Sequence, residues 1–500
     1  MQLPVLIPRS DAQLSRPTIL LLSDDLNAPS GIGTMSREFV FKTADRFNWI
    51  QIASSVQHPD VGKILDISKA VEEETGLTDV SIKLYPYSGY GDAKILEYIL
   101  NTEKVDAILH FTDPRYWTWL YALEHEIRAI RKIPIMYYSI WDDLPFPNWN
   151  LNSYSSCDLL MAINKQTHII HQEVLKNGGY DSIDLRKVAL KDVKKTHDNV
   201  LLQYIPHGID SKKFKPLTEA DPEYPEYLQF VESFNAQNNS PEFIIFWNNR
   251  NIRRKQPGDV ILAYKMFCDS LPPEEAAKCV LFLHTHPRDP NGTDLIAVRD
   301  NICPMYNIIF SVDRVNTKVL NFYYNISDVT LNIASNEGFG LSSAESIMAG
   351  TPVINNVTGG LQDQMGFRDH KNKEYFPDAE MPTNHTGLLD VYGDWAYAVI
   401  PSNRSLQGSL ETPYIFDDRA RLEDVADGMD YWYDLSKTTR KEYGLAGRKW
   451  MIEVAKMEAN DMANKMAESM ELCMKTFVPK PKAEMVKITP KKQINKIGIV

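Results

Sequence analysis

Apolar runs of strand length alternate with longer amphipathic runs along most of this chain, which restricts it to parallel sheets flanked by helices. Residues 18–22, 49–53, 105–111, 133–140, 159–162 and 203–205 read as buried strands, with amphipathic runs such as 35–46 and 119–131 between them. The stretch 216–241 breaks the pattern with Pro216, Pro222, Pro225 and Pro241 and reads as a linker. The alternation then resumes, with strands expected at 243–247, 280–284, 308–312, 329–333 and 352–355. Two α/β units follow, residues 1–215 and 242–455. Residues 440–477 read as one long helix, broken near Gly444 and Gly447, in which Met462, Met466, Met470 and Met474 form a core stripe. The end, 479–500, is a basic tail: Lys480, Lys482, Lys487, Lys491, Lys492 and Lys496 face only Glu484. It reads as a solvated tail or as a docking arm for something acidic.

Several classes are excluded or disfavoured. No apolar run is long enough to span a bilayer, and residues 1–16 lack a signal-peptide core. The net charge of -12 argues against a chain that coats a polyanion. Five scattered cysteines (Cys157, Cys268, Cys279, Cys303, Cys473) give neither a disulfide framework nor a zinc motif. The expectation is a cytoplasmic enzyme with no metal and no cofactor.

Three segments carry chemistry. In the first, 328–360, a strand runs into Glu337-Gly338-Phe339-Gly340, and a helix opens at Leu341 with Ser342 and Ser343 in its first turn. Glu337 therefore sits at a strand's carboxyl end, where open α/β sheets bind ligands. Glu345 lies one turn further on, near the same mouth. The glycines let backbone N–H groups approach an anion, while two carboxylates suit the hydroxyls of a sugar and a ribose. In the second segment, 246–256, Arg250, Arg253, Arg254 and Lys255 gather at a strand end and can clamp a diphosphate. In the third, 22–38, a strand runs into Gly31-Ile32-Gly33 and a helix. A dinucleotide fingerprint would place an acid after the second strand; Ser54-Ser55-Val56-Gln57-His58 has none, which disfavours a dehydrogenase.

Taken together, these segments resemble the retaining glycosyltransferases of family 4, which have the GT-B fold of two Rossmann-like domains facing across a cleft. Arg250 and Lys255 fit the family's R-x4-K pair, Glu337 and Glu345 its E-x7-E pair, and 205–210 (IPHGID) its signature at the end of the first domain. The resemblance implies a C-terminal helix, 456–478, crossing back to the first domain. It also implies transfer of a sugar from a nucleoside-diphosphate sugar, UDP-sugar foremost, to a hydroxyl acceptor. In that scheme Arg250 and Lys255 bind the diphosphate. Glu337, Gly338 and the backbone of Phe339, Gly340 and Leu341 hold the sugar, and Glu345 takes the ribose. Gly31 and Gly33 face the donor phosphates from across the cleft.

The acceptor side departs from the family. Trp141-Asp142-Asp143 follows the strand where a His is usual, and Asn249 stands where a Gly is usual. Asp142 and His110 are the acceptor-side candidates. Trp117, Trp119, Tyr116, Trp141 and Trp149 suit stacking on a sugar or base, or core packing. The basic stretch Arg186, Lys187, Lys191, Lys194 and Lys195 suits an anionic acceptor. The acceptor is accordingly a saccharide or glycoconjugate, or a hydroxymethylated DNA base of a phage. A nucleotide-sugar-binding protein without turnover and a GT-B-like epimerase or phosphorylase are the alternatives.

Overall fold

Strand β1 (Thr18–Asp24) is the centre from which the first half grows. On one side it pairs in parallel with β2 (Asn48–Ser55), and on the other with β5 (Ala107–Phe111). The remaining strands of that half are β3 (Leu65–Asp66), β4 (Ile82–Ser88), β6 (Ile135–Ser139), β7 (Leu159–Ala162), β8 (Ser182–Asp184) and β9 (Val200–Tyr204). They complete a nine-stranded sheet in the order β3-β4-β2-β1-β5-β6-β7-β9-β8, in which only the short β3 runs antiparallel. The computed structural model describes residues 10–379 and 388–482. Residues 1–9 and most of the basic tail, including Glu484, Lys487, Lys491, Lys492 and Lys496, lie outside the described residues.

The second half repeats the plan around β10 (Phe243–Asn248). Its other strands are β11 (Cys279–His284), β12 (Asn307–Ser311), β13 (Val329–Asn332), β14 (Val353–Asn356) and β15 (Ala396–Val399). The order is β12-β11-β10-β13-β14-β15, all parallel. In each sheet the order reverses at the central strand, β1 or β10. The crevice at such a switch point, outside the strands' carboxyl ends, is where open α/β sheets take ligands. An antiparallel hairpin, β16 (Asn403–Gln407) with β17 (Ile415–Arg419), stands apart from both sheets.

Residues 224–237 of the expected linker form a helix, Tyr224–Gln237. Phe230 and Phe234 pack on Phe322, Tyr323 and Phe282, so the second half owns this segment. The expected helix over 440–477 is two helices, Lys437–Glu453 and Ala459–Thr476. The break is not at the glycines, which serve close contact instead: a Cβ on Gly444 would lie 2.0 Å from the Gly350 carbonyl oxygen. It falls after Glu453, where Lys456 takes a positive φ of 56°. The last helix crosses to the first half. Met462, Met466 and Met470 are buried with Phe39, Val40 and Phe41 of helix Gly31–Lys42, and Arg46 binds Glu471 with Nη2–Oε2 2.7 Å. No helix of the described residues is long and apolar enough to cross a membrane.

Candidate active site

A cleft of about 720 Å³ opens where the carboxyl ends of the two sheets meet. The carboxyl end of β1 leads into it through Ser30 and Gly31, β6 through Asp142 and Asp143, β10 through Asn249 to Lys255, and β13 through Asn336 to Leu341. Of the expected site residues, the cleft brings together Gly31, Asp142, Arg250, Lys255, Glu337, Gly338, Phe339, Gly340, Leu341 and Glu345. Two stand elsewhere. Gly33 is buried behind the turn, where an added Cβ would meet the Asp25 and Ala28 carbonyl oxygens at 2.8 and 2.6 Å; it serves the tightness of the turn. His110 lies wholly in the first domain's core, stacked on Tyr137, with Nδ1 2.6 Å from the Tyr121 hydroxyl. Burial holds its imidazole neutral, with the pKa pulled down to about 3.

The second-half wall is a charge-paired surface. Lys255 Nζ donates to Glu337 Oε2, and Arg254 Nη1 reaches the same oxygen at 3.4 Å. Burial opposes charge on Glu337, but the two cations outweigh it and keep the carboxyl below its ordinary range. Burial also pushes Lys255 below the usual lysine value. Arg254 locks the two motif loops together: its Nη1 donates to the Asn336 carbonyl (2.7 Å), and its own carbonyl accepts from Ser335 N (2.8 Å). Arg250 stands at the rim, 65% exposed at its side chain, with Nε 2.8 Å from Asp289 Oδ2. Glu345 receives the Tyr324 hydroxyl at 2.7 Å, and burial lifts its pKa to about 7.

The glycine turn is dictated by crowding. Gly340 has φ 88°, and a Cβ there would come within 2.4 Å of Leu361 Cδ2. The Glu337 carbonyl accepts from Gly360 N at 2.8 Å, and Asn164 of the first half donates to the Gly338 carbonyl at 2.6 Å. Two cleft-lining polar atoms, Asn249 Nδ2 and Ser342 Oγ, are buried without a hydrogen-bond partner.

The first-half wall is mostly backbone. Ser30 caps helix Gly31–Lys42, with Oγ accepting from Gly33 N (3.0 Å) and donating to Asp24 Oδ2 (2.7 Å). The N-terminus of that helix, its positive dipole end, lines the same cleft as the cations. Asp142 and Asp143 form its floor. Burial raises both carboxyls above the ordinary aspartate range, while the Arg254 guanidinium counters the rise. Asp143 Oδ1 accepts from Asn336 Nδ2 at 2.7 Å, joining the halves.

Sequence reasoning missed Ser30, Asp143, Asn336, His207 and Arg314 as cleft-lining residues. Ser30 was findable as a helix cap before a glycine turn, and Asp143 as the neighbour of Asp142. Arg314 had no local signal. Of the basic stretch, Arg186 and Lys187 bind Asp184 and Lys195 is buried on Asp158, while Lys191 and Lys194 are exposed. Lys480 is bound to Glu124 at 2.7 Å. Trp117 and Trp141 are buried in the first domain's core. No group of three or more His, Cys, Asp or Glu that could hold a metal occurs among the described residues.

No protein-family model matches the sequence, and no curated protein matches it. Solved structures do match. The Anabaena protein HepE in complex with UDP and glucose is 13% identical with a TM-score of 0.56, covering 91% of this chain and 100% of its own. The E. coli trehalose-6-phosphate protein bound with UDP-2-fluoro glucose gives 13% identity and TM-score 0.60, with coverages of 93% and 100%. Sucrose-phosphate synthase from Thermosynechococcus elongatus gives 13%, 0.57, 91% and 98%. The architecture shared with these structures, two parallel-sheet domains, is the GT-B fold.

Proposed function

We propose that the chain is a retaining glycosyltransferase of the family 4 kind, moving a sugar from a UDP-sugar to a hydroxyl acceptor. One observation carries this reading: Lys255, Arg254 and Glu337 converge at the carboxyl ends of β10 and β13, in the cleft that the N-terminus of helix Gly31–Lys42 also lines. A diphosphate needs cations and free N–H groups from two sides, and a sugar needs a fixed carboxylate; the cleft offers both. The unpartnered Asn249 Nδ2 and Ser342 Oγ add donors for the same ligand. The UDP and UDP-sugar in the complexes of HepE and the E. coli protein support UDP as the donor base.

In this reading Arg250 and Lys255 neutralise the leaving diphosphate as charge grows on it, the effect of preorganised donors aimed at a developing anion. Glu337 accepts hydroxyls of the sugar, and Glu345 those of the ribose. The bond from sugar C1 to the diphosphate oxygen breaks, and the acceptor oxygen bonds to C1 on the same face. The acceptor's proton passes to the departing phosphate. Retention follows because both oxygens lie on one side of the ring.

A thermal-shift screen against UDP, GDP, ADP and CMP tests the donor site. A ligand at about 100 times its Kd adds roughly 2.7 kcal/mol of stability. UDP is expected to shift the midpoint, and UDP-sugar to be hydrolysed slowly without acceptor, with the anomer retained in NMR. No shift with any nucleotide would overturn the reading; binding without hydrolysis or transfer would make the chain a binder.

A further inference from the structure

A second chamber, of about 390 Å³, adjoins the donor cleft and shares Ile140, Asp142, Asp143 and Arg254 with it. Its outer wall is the β16–β17 hairpin, an element of the second half that leans on the first. The hairpin is rooted by Asp418. Its N–H donates to the Ser335 carbonyl (3.1 Å), its carbonyl accepts from Asn356 Nδ2 (2.9 Å), and its Oδ2 accepts from the Thr358 hydroxyl (3.0 Å). The far side touches the first half. Phe416 N donates to the Leu144 carbonyl at 2.5 Å, Tyr414 packs edge-on against Trp149 at 4.4 Å, and the Arg115 guanidinium binds the Thr412 hydroxyl.

We propose that this hairpin is the acceptor-specificity wall, closing a chamber that takes an uncharged, hydroxyl-rich molecule of saccharide type and turns anions away. The proposal rests on the donor reading above for its place beside the transferred sugar, since Arg254 touches both the chamber and Glu337. Charge decides the class of ligand. The chamber has two cations, and both are committed: Arg115 Nη2 and Nε lie 2.5 and 3.0 Å from Asp113, and Arg254 serves Glu337 and the Asn336 carbonyl. Three carboxyl groups, Asp113, Asp142 and Asp143, line it as well. A phosphate or a nucleic acid backbone would reach a cation only by displacing Asp113 or Glu337, with three carboxyl groups to two cations in the chamber. Hydroxyls would find carboxyl oxygens, and Gln407 and Ser409 on the hairpin supply further polar partners. In the transfer step, an acceptor hydroxyl held here gives its oxygen to sugar C1. The C1–phosphate bond breaks with its electron pair leaving on UDP, and the hydroxyl proton goes to the leaving oxygen.

Saturation-transfer NMR on the full chain with UDP tests this, using glucose and maltose as uncharged probes and glucose-6-phosphate and a short DNA oligonucleotide as anions. The uncharged sugars are expected to bind and the anions not. Ser409→Trp, at an exposed position on the chamber's lip, should weaken sugar binding roughly tenfold or more by filling the pocket, with UDP affinity unchanged. Sugar binding untouched by S409W, equal or better binding of either anion, or no sugar binding by the native chain would each overturn the proposal. Should the native chain bind no UDP, the donor reading falls instead, while the sugar signal and its response to S409W still decide the chamber.

Discussion

The two walls of the cleft are built on opposite principles. The second-half wall is side-chain chemistry already paired within itself: Lys255 and Arg254 on Glu337, Arg250 on Asp289, Tyr324 on Glu345. The first-half wall is backbone and shape, a capped helix end at Ser30 and Gly31, with Asp142 and Asp143 below it. Internal pairing keeps charged groups poised in a partly dry cleft at the cost of having to exchange partners when a ligand arrives. A backbone wall needs no exchange. Mutations should therefore damage the second-half wall through charge and the first-half wall through space.

The largest effect is expected for Lys255→Ala. It removes one member of a buried ion pair, for which about 3–5 kcal/mol of stability is lost, and a donor whose loss lowers turnover by roughly 10²–10³-fold. Chemical denaturation and steady-state kinetics check the two. Arg250→Ala separates them: turnover should fall by about 10²-fold, while an exposed pair contributes at most about 1 kcal/mol to stability. Activity near the parental level would break the assignment of this wall to charge.

On the opposite wall, Gly33→Ala should cost about 1–3 kcal/mol by overpacking, because its Cβ would strike two carbonyl oxygens. Gly31→Ala should spare stability and weaken UDP binding, since its Cβ would meet only Leu341 Cδ1, at 3.3 Å across the cleft. Equal effects at the two glycines would erase the contrast. His110→Phe should lose about 1–3 kcal/mol by stranding the buried Tyr121 hydroxyl, with kcat/KM unchanged. A fall in kcat/KM alone would return His110 to the acceptor side.

The smallest effect is a proton. Glu345 has its carboxyl raised from 4.5 to about 7 in the folded chain. Its stability contribution is full below about pH 4.5 and is lost as the pH rises through about 7. Ribose hydroxyls donate to the charged form, so UDP binding near pH 7 should release part of a proton. Calorimetry in two buffers of different ionisation heat would read it; no release would detach Glu345 from the ribose.

The same contrast explains what the sequence made legible. Arg250 with Lys255, and Glu337 with Glu345, each belong to one strand–loop–helix unit, so spacing alone displays them. Asp143, Asn336 and the hairpin meet only after three separate loops converge, and no local pattern announces that. The central strands were readable because both faces are buried. Strand β4 carries Pro86 and the half-exposed Lys83, which mask it, and β16 is largely exposed and polar, so it reads as loop. The glycines of the Lys437–Glu453 helix look like breakers in sequence, yet Gly444 and Gly447 let that helix press on Gly350 and Trp395.

The returning helix Ala459–Thr476 has a consequence for how the molecule is made. The groove it fills belongs to the first half, where it packs on helix Gly31–Lys42 and Gly208 N reaches Met462 Sδ at 3.1 Å. At 5–20 residues per second, a ribosome needs roughly 10–50 s after finishing the first half to deliver that helix. Throughout that interval the nascent first half carries an open apolar groove. Truncations at the far end of the gene should accordingly surface as aggregation of the first half, the part translated earliest and completed last.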